Sequence, residues 1–271
     1  MLAIGVQNVA WEKASLSSWL DFAQENSAKW LDIVFEYYTS PPFLTAKAAR
    51  QLRRQAEEKG ISLSGHLPYL ASAVDFNPYR QAATRKLMLE SIRFASISGM
   101  AMLTVHPPYP AWPETIDYVA RLQRVAQKEY ATLARAAKRA DVTLAIENVE
   151  PFNTADDLRA FVDAFDLQVT MDIGHWNISG KGHYKTLLKA FKGIVANMHI
   201  HDNDGRGDRH WPLGTGNIDW RAVFSTAKQH GFKGPAIIEN MSRPDLVQSL
   251  EFLRRSGVMG RMRAWDSRSK K

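Results

Sequence analysis

The chain has 271 residues, a net charge of +7, 45% hydrophobic and 23% charged residues, and no cysteine. That length can bury a sizeable core in one large domain or two small ones. The absence of cysteine excludes a disulfide framework and any thiolate metal site, so a metal would have to sit on His, Asp and Glu, and no run of eighteen apolar residues offers a membrane span.

The charge is unevenly spread. From Arg254 onward seven basic residues, the last two Lys270 and Lys271, face only Asp266, so this end carries +6 and the rest of the chain about +1. The expected division is a folded domain over 1–256 and a basic, flexible tail over 257–271, a solvated end rather than a nucleic-acid arm. The opening "MLAIGVQNVA" reads as a strand, without the basic region and apolar core of a signal peptide, and the expected compartment is the cytoplasm.

In chain order, short apolar runs alternate with segments of helical period. "AIGVQN" precedes a helix near 15–28, "LDIVFEY" one near 45–59, "ISLSGH" one near 79–98, and "MLTVHP" one near 114–140. "VTLAIEN" precedes a helix near 155–165, "LQVTMDIGH" one near 183–192, "NMHIHD" one near 220–230, and "PAIIEN" one near 243–255. In the fourth helix Val119, Leu122, Val125, Ala126, Tyr130, Leu133 and Ala137 recur at steps of three and four, and Ser15 and Thr154 are start signals for theirs. Eight such pairs over about 250 residues match a single (β/α)8 TIM barrel with parallel strands and an outer ring of helices. A doubly wound sheet fits less well, because "VAWEKAS" after the first strand lacks a Gly-rich phosphate turn.

Nearly every apolar run ends in an ionisable residue. Glu36, His66, His106 and Glu147 end the second to fifth, followed by Asp172 with His175, by His199 with His201 and Asp202, and by Glu239. Carboxyl ends of barrel strands converge on one face, so His66, His106, Glu147, Asp172, His199 and Glu239 would meet there. Each has an ordinary reading alone: a strand-end His bonded to backbone, an ion pair for Glu147, a helix cap for Asp172. Together they form a cluster too costly to bury unless a cation or a dense hydrogen-bond network holds it. An oxygen- and imidazole-rich set without sulfur suits a divalent metal such as Zn, Mn, Fe, Co or Mg. Glu147 and Glu239, three strands apart, nearly face each other across the mouth. They suit proton abstraction and return beside a carbonyl, or equally a multi-metal hydrolytic site. "GRGDRHWPLGTG" adds Asp208 and His210 as a D-x-H pair, with Arg206 and Arg209 as candidate clamps. Trp11, Tyr37, Tyr38, Tyr69, Tyr109, Trp112, Trp176 and Trp211 are candidate pocket walls.

The stretches "GHLPYL", "VHPP", "IENV", "MDIGH", "MHIHDN", "DRHWPLGTGNIDW" and "IIEN", spread from the third strand to the eighth over about two-thirds of the chain, resemble the xylose isomerase-like TIM-barrel superfamily. Resemblance to its sugar isomerase and epimerase branch implies one metal held by Glu147, Asp172, His199 and Glu239. The two glutamates would act as bases on a sugar or sugar phosphate. His66, His106, His175, Trp176 and an arginine near 206–209, Arg206 first, would hold the substrate. Resemblance to the endonuclease IV branch implies three zinc ions, with His66, His106, His175, Asp208 and His210 completing nine ligands. Tyr69 and Leu70 would then lie where that enzyme pushes side chains into DNA. Against that branch, "ENVEPF" replaces its Gly-rich stretch, "DIGHWN" lacks its usual Cys, and the near-neutral body lacks a basic face for phosphates. The expectation is therefore a metal-dependent isomerase or epimerase, with abasic-site nuclease as the alternative. A homodimer is the assembly expected of such a barrel.

Overall fold

The computed structural model describes residues 2–39, 45–72, 74–75, 77–108, 116–150, 152, 154–179 and 184–257, without the side chains of 116–123. The basic segment 258–271, and with it nearly all of the expected tail, lies outside the described residues, as do Tyr109 and Trp112.

Eight strands are present: β1 Ile4–Gln7, β2 Trp30–Val34, β3 Ser62–His66, β4 Met102–Val105, β5 Thr143–Glu147, β6 Gln168–Asp172, β7 Val195–Ile200 and β8 Ala236–Ile238. All neighbours pair in parallel, and β8 returns to β1 through Gly5 and Ile237, closing the barrel. The helices are α1 Leu16–Glu25, α2 Ala46–Lys59, α3 Pro78–Ser98, α4 Ile116–Arg139, α5 Ala155–Phe165, α6 Ile173–Ser179, α7 Tyr184–Ala190, α8 Trp220–Gln229 and α9 Arg243–Arg255. The chain is a (β/α)8 barrel.

Local chemistry sets the helix starts. Ser15 caps α1 by accepting from Ser18 N, and Thr154 forms a reciprocal capping box with Asp157 on α5. Gly60 and Gly99 end α2 and α3 in the left-handed conformation. On α4, Ala126, Tyr130, Leu133 and Ala137 are buried, so the three- and four-residue steps do mark the face against the barrel.

One element is added to those expected. The ordinary reading of Asp172 as a helix cap holds: α6 begins directly after it and its Oδ1 accepts from His175 N at 2.6 Å, so the ligand candidate also caps a helix. The helix expected near 183–192 is present as α7, giving this βα unit two helices.

The barrel interior turns polar toward its carboxyl end. Ser64 Oγ donates to Asp32 Oδ1 at 2.6 Å, Thr104 and Thr170 share a hydrogen bond of 2.9 Å, and Thr170 donates to Asn197 Oδ1 at 2.6 Å. The Asn197 side-chain nitrogen lies 3.2 Å from His199 Nε2. This buried layer supports the ligand layer above it.

Candidate metal centre

The strand ends do converge. Three groups of side chains bring ligand atoms within 4.8 Å of one another: Glu147, Asp172, His199 and Glu239; His66, His106 and Glu147; and His175, His201, Asp208 and His210. Glu147 belongs to the first two. Its Oε1 lies 2.9 Å from His199 Nδ1, and its Oε2 lies 3.1 Å from His66 Nε2 and 3.0 Å from His106 Nε2. His199 Nδ1 is also 3.0 Å from Glu239 Oε1, so one imidazole stands between the two glutamates. In the outer group, Asp208 Oδ2 is 3.4 Å from His175 Nε2 and 3.2 Å from His210 Nε2.

Three histidines are oriented in the same way. His66 Nδ1 faces the Leu67 carbonyl at 2.7 Å, His175 Nδ1 that of Asn148 at 3.0 Å, and His210 Nδ1 that of Glu239 at 2.9 Å. Donation from each Nδ1–H leaves Nε2 as the nitrogen turned toward the carboxylates, the one that would bind a metal on losing its proton. Asp172 Oδ2 and both nitrogens of His201 are buried without hydrogen-bond partners. Leaving such atoms unpaired costs on the order of 1–3 kcal/mol each, and a cation would remove the cost at Asp172 Oδ2 and at one nitrogen of His201. The donor set of imidazoles and carboxylates therefore fits a divalent metal.

The charges balance through the histidines. Burial works against ionising Glu147, but His199, His106 and His66 hold its carboxyl well below the usual range. Burial likewise opposes a charged His199, yet Glu239 and Glu147 raise it well above its ordinary value. His106, at the rim of this group, is lowered by burial. In the outer group burial is outweighed by Asp172 and Asp208, which push His175 up to about 10, and by Asp208, which lifts His210 to about 9.

Other expected residues lie apart. Glu36 touches none of the three groups; its Oε1 accepts from Tyr69 N at 2.9 Å and Leu70 N at 2.8 Å. Trp176 is buried in the core cluster, and Arg206 is exposed on the loop after β7 with its backbone N–H on Asp204; neither lines the cavity. His201, absent from both ligand sets that the resemblance implies, joins the outer group, its ring stacked 3.8 Å from that of His210.

Supporting residues were missed. Asn148 clamps the end of β6 through Asp172 N and O, both at 2.8 Å, and Asn240 holds the carbonyls of His210 and Trp211 at 2.9 Å. Both follow a ligand glutamate in an "EN" pair, the one signal that could have found them. Buried Asp202 ties the loop after β7 to Gly214 N and Trp220 Nε1, and Gln7 donates to Glu239 Oε1.

Above the ligands is a cavity of about 200 Å³ whose walls include Trp11, Tyr69, His106, His175, Glu239 and Met241. A larger open groove between α4 and α5, lined by Arg135, Asp163 and Asp166, gathers no ligand group. Among the described residues no helix is long and apolar enough to cross a membrane.

Fold and site together define a (β/α)8 barrel with clustered metal-ligand side chains at its carboxyl face. The family described as xylose isomerase-like TIM barrel matches residues 11–256, and the chain belongs to it. An uncharacterised protein of Methanocaldococcus jannaschii is 29% identical over 93% of this chain and 88% of its own length. The L-ribulose-5-phosphate 3-epimerase of Escherichia coli is 24% identical over 82% of this chain and 72% of its own. A protein of Mycobacterium leprae named as a probable endonuclease 4 is 24% identical over 77% and 84%. Among solved structures, a D-tagatose 3-epimerase-like protein superposes with a TM-score of 0.81 at 24% identity, covering 96% of this chain and 98% of that one. The relatives thus include sugar epimerases and isomerases as well as endonuclease 4-like proteins.

Proposed function

We propose that the chain is a divalent-metal-dependent isomerase or epimerase of sugars or sugar phosphates. The observation that carries this reading is the buried group in which Glu147 and Glu239 flank His199 beneath a cavity they both line. Glu147, Asp172, His199 and Glu239 would hold the metal, which when bound polarises a substrate carbonyl and its neighbouring hydroxyl and makes the intervening C–H acidic.

The chain's own groups divide the remaining work. Both glutamates are held as carboxylates, so either can take a proton from carbon at its own face; delivery at the other face falls to the opposite glutamate, which must then carry a proton, and the two exchange these states from one turnover to the next. Glu147 is tethered at both oxygens by histidines, whereas Glu239 carries the amide of Gln7. His66, His106 and His175 line the cavity and would bind substrate oxygens.

Replacing either glutamate by glutamine, Glu147→Gln or Glu239→Gln, should abolish carbon–hydrogen exchange from ketoses in heavy water. Activity within tenfold of the parent would sink the assignment.

A second reading rests on a separate observation, the three adjacent ligand groups with Glu147 shared between two of them. Loaded throughout, they would suit phosphodiester hydrolysis at abasic sites in DNA, with Glu147 bridging ions rather than moving protons. Metal counting on purified protein, paired with nicking of an abasic oligonucleotide and the exchange assay, decides between them: about three ions with nicking, or proton exchange without it.

A further inference from the structure

The two glutamates of the site differ in which of their oxygens are open. His199 Nδ1 lies 2.9 Å from Glu147 Oε1 and 3.0 Å from Glu239 Oε1. Each glutamate therefore turns Oε1 toward the group that would hold the metal and leaves Oε2 for other work. On Glu147 that second oxygen is taken: His66 Nε2 stands 3.1 Å from it and His106 Nε2 3.0 Å. A carboxylate oxygen has two lone-pair directions, and two imidazole nitrogens fill both. An ion in the group of His66, His106 and Glu147 would occupy the same oxygen.

Glu239 is arranged the other way. Its Oε1 carries both His199 and the Gln7 amide, and its Oε2 has no hydrogen-bond partner among the described residues. Asp172 Oδ2 is also without a partner but is sealed off, whereas Glu239 Oε2 keeps access to the cavity. Exposure runs the same way, 6% for Glu239 against 1% for Glu147.

Gln7 fixes this orientation. It stands opposite Asp32 in the register of β1 and β2, and its amide nitrogen lies 3.2 Å from Asp32 Oδ2. Asp32 is fully buried and in turn accepts from Ser64 Oγ at 2.6 Å. An amide nitrogen has two protons, so Gln7 can donate to Asp32 and to Glu239 at once. The anchored amide holds Oε1 of Glu239 and thereby presents Oε2 to the cavity.

Access narrows what ionisation permits. Inverting a carbon needs one base to take a proton and a second, on the opposite face, to deliver one. Moving a carbonyl to the neighbouring carbon needs a single base. Glu239 Oε2 takes the proton from the hydroxyl-bearing carbon beside the carbonyl; the C–H pair becomes the double bond of an enediolate, and the carbonyl pair moves onto its oxygen. The hydroxyl proton passes to that oxygen and the carbonyl re-forms on the first carbon. Glu239 returns its proton to the former carbonyl carbon on the same face.

We infer that Glu239 Oε2 is the one proton carrier of the site, with Gln7 as its positioning residue, and that the chain moves a carbonyl between neighbouring carbons, as between a 2-ketose and its aldose, without inverting a carbon. This deepens the isomerase reading and rests on it.

The test incubates the metal-loaded full chain with D-fructose, D-tagatose and D-psicose in heavy water and reads the products by nuclear magnetic resonance. The expected result is deuterium at one of the two C1 positions of the recovered ketose and at C2 of an aldose, with no 3-epimer. A 3-epimer carrying deuterium at C3 overturns the inference and leaves the wider isomerase or epimerase reading standing. No exchange from any of the three sugars removes that reading, and the inference with it. Gln7→Leu tests the positioning role: kcat should fall about tenfold, the scale of one lost hydrogen bond, while KM and the metal content counted by elemental analysis stay within about twofold. An unchanged kcat, or a loss of metal in step with it, overturns that role.

Discussion

At the scale of single residues, the outer group is where protons and metal compete most directly. Burial disfavours charge on His175 and His210, but neighbouring carboxylates raise them to about 10 and about 9. Both values exceed the ordinary histidine range. The metal-free protein therefore draws stability from these ion pairs that is complete below about pH 6.5 and is lost as pH rises through 9 to 10. Thermal melts of metal-free protein should show that decline between pH 7 and 10. A metal must displace the same protons, so zinc affinity should rise over this window, and loading the outer group near pH 7.5 should release about two protons. Titration calorimetry in buffers of different ionisation enthalpy reads that number; no proton release would show that the histidines are neutral before loading. Asp208→Asn removes the carboxylate shared by His175 and His210. Under the three-ion reading it should lower the bound metal by one ion, as counted by elemental analysis, whereas under the one-metal reading the count should stay the same.

At the scale of elements, the seventh strand and α6 fit together through one glycine. A Cβ on Gly174 would lie 2.0 Å from His201 Cε1 and 2.3 Å from its Nε2, in the first turn of α6. Gly174→Ala must displace the ring stacked on His210. The expected cost is about 1–3 kcal/mol of overpacking, together with weakened outer-group metal binding. Thr154→Ala, which opens the capping box of α5, should cost about 1 kcal/mol with metal content unchanged. Denaturant midpoints and metal counts separate the two, and equal metal loss in both would contradict the local argument. The eight strands were legible because parallel strands buried on both faces read as unbroken apolar runs, all but the first stopping at an ionisable residue as it leaves the core. Helix α6 was not, because its seven residues are too few to show a period and two of them, His175 and Trp176, were already taken as site candidates. The roles of Asn148, Asp202 and Gln7 were hidden for another reason. Their partners, Asp172, Gly214 with Trp220, and Glu239, are distant in sequence or reached through loop shape, so Asp202 showed only as a strand-end charge and Asn148 only as the second residue of an "EN" pair.

At the scale of the whole molecule, candidate ligands from every strand between β3 and β8, His66 to Glu239, gather in adjacent groups, and a metal held by Glu147, Asp172, His199 and Glu239 would tie together the last four strands. Without it, Glu147, Asp172 and Glu239 remain buried carboxylates whose charge is offset only by histidines. Metal binds the folded arrangement and not the unfolded chain, so occupancy adds its binding free energy to stability. At free zinc about a thousandfold above the dissociation constant, the gain is about 4 kcal/mol per site. For a chain of this size each kcal/mol moves the melting temperature by roughly 2–4 °C. One loaded site should therefore raise Tm by about 10 °C, and three by more, with chelation reversing the shift. The ligands are withdrawn from solvent, so moderate salt should change this increment little, unlike the surface pairs Lys138–Asp166 and Arg255–Glu251. Differential scanning fluorimetry of chelated and zinc-restored protein at low and moderate ionic strength measures both. A Tm that stays within about 2 °C on chelation and restoration would mean that the histidines and carboxylates satisfy one another, and the metal-dependent reading would fall with it.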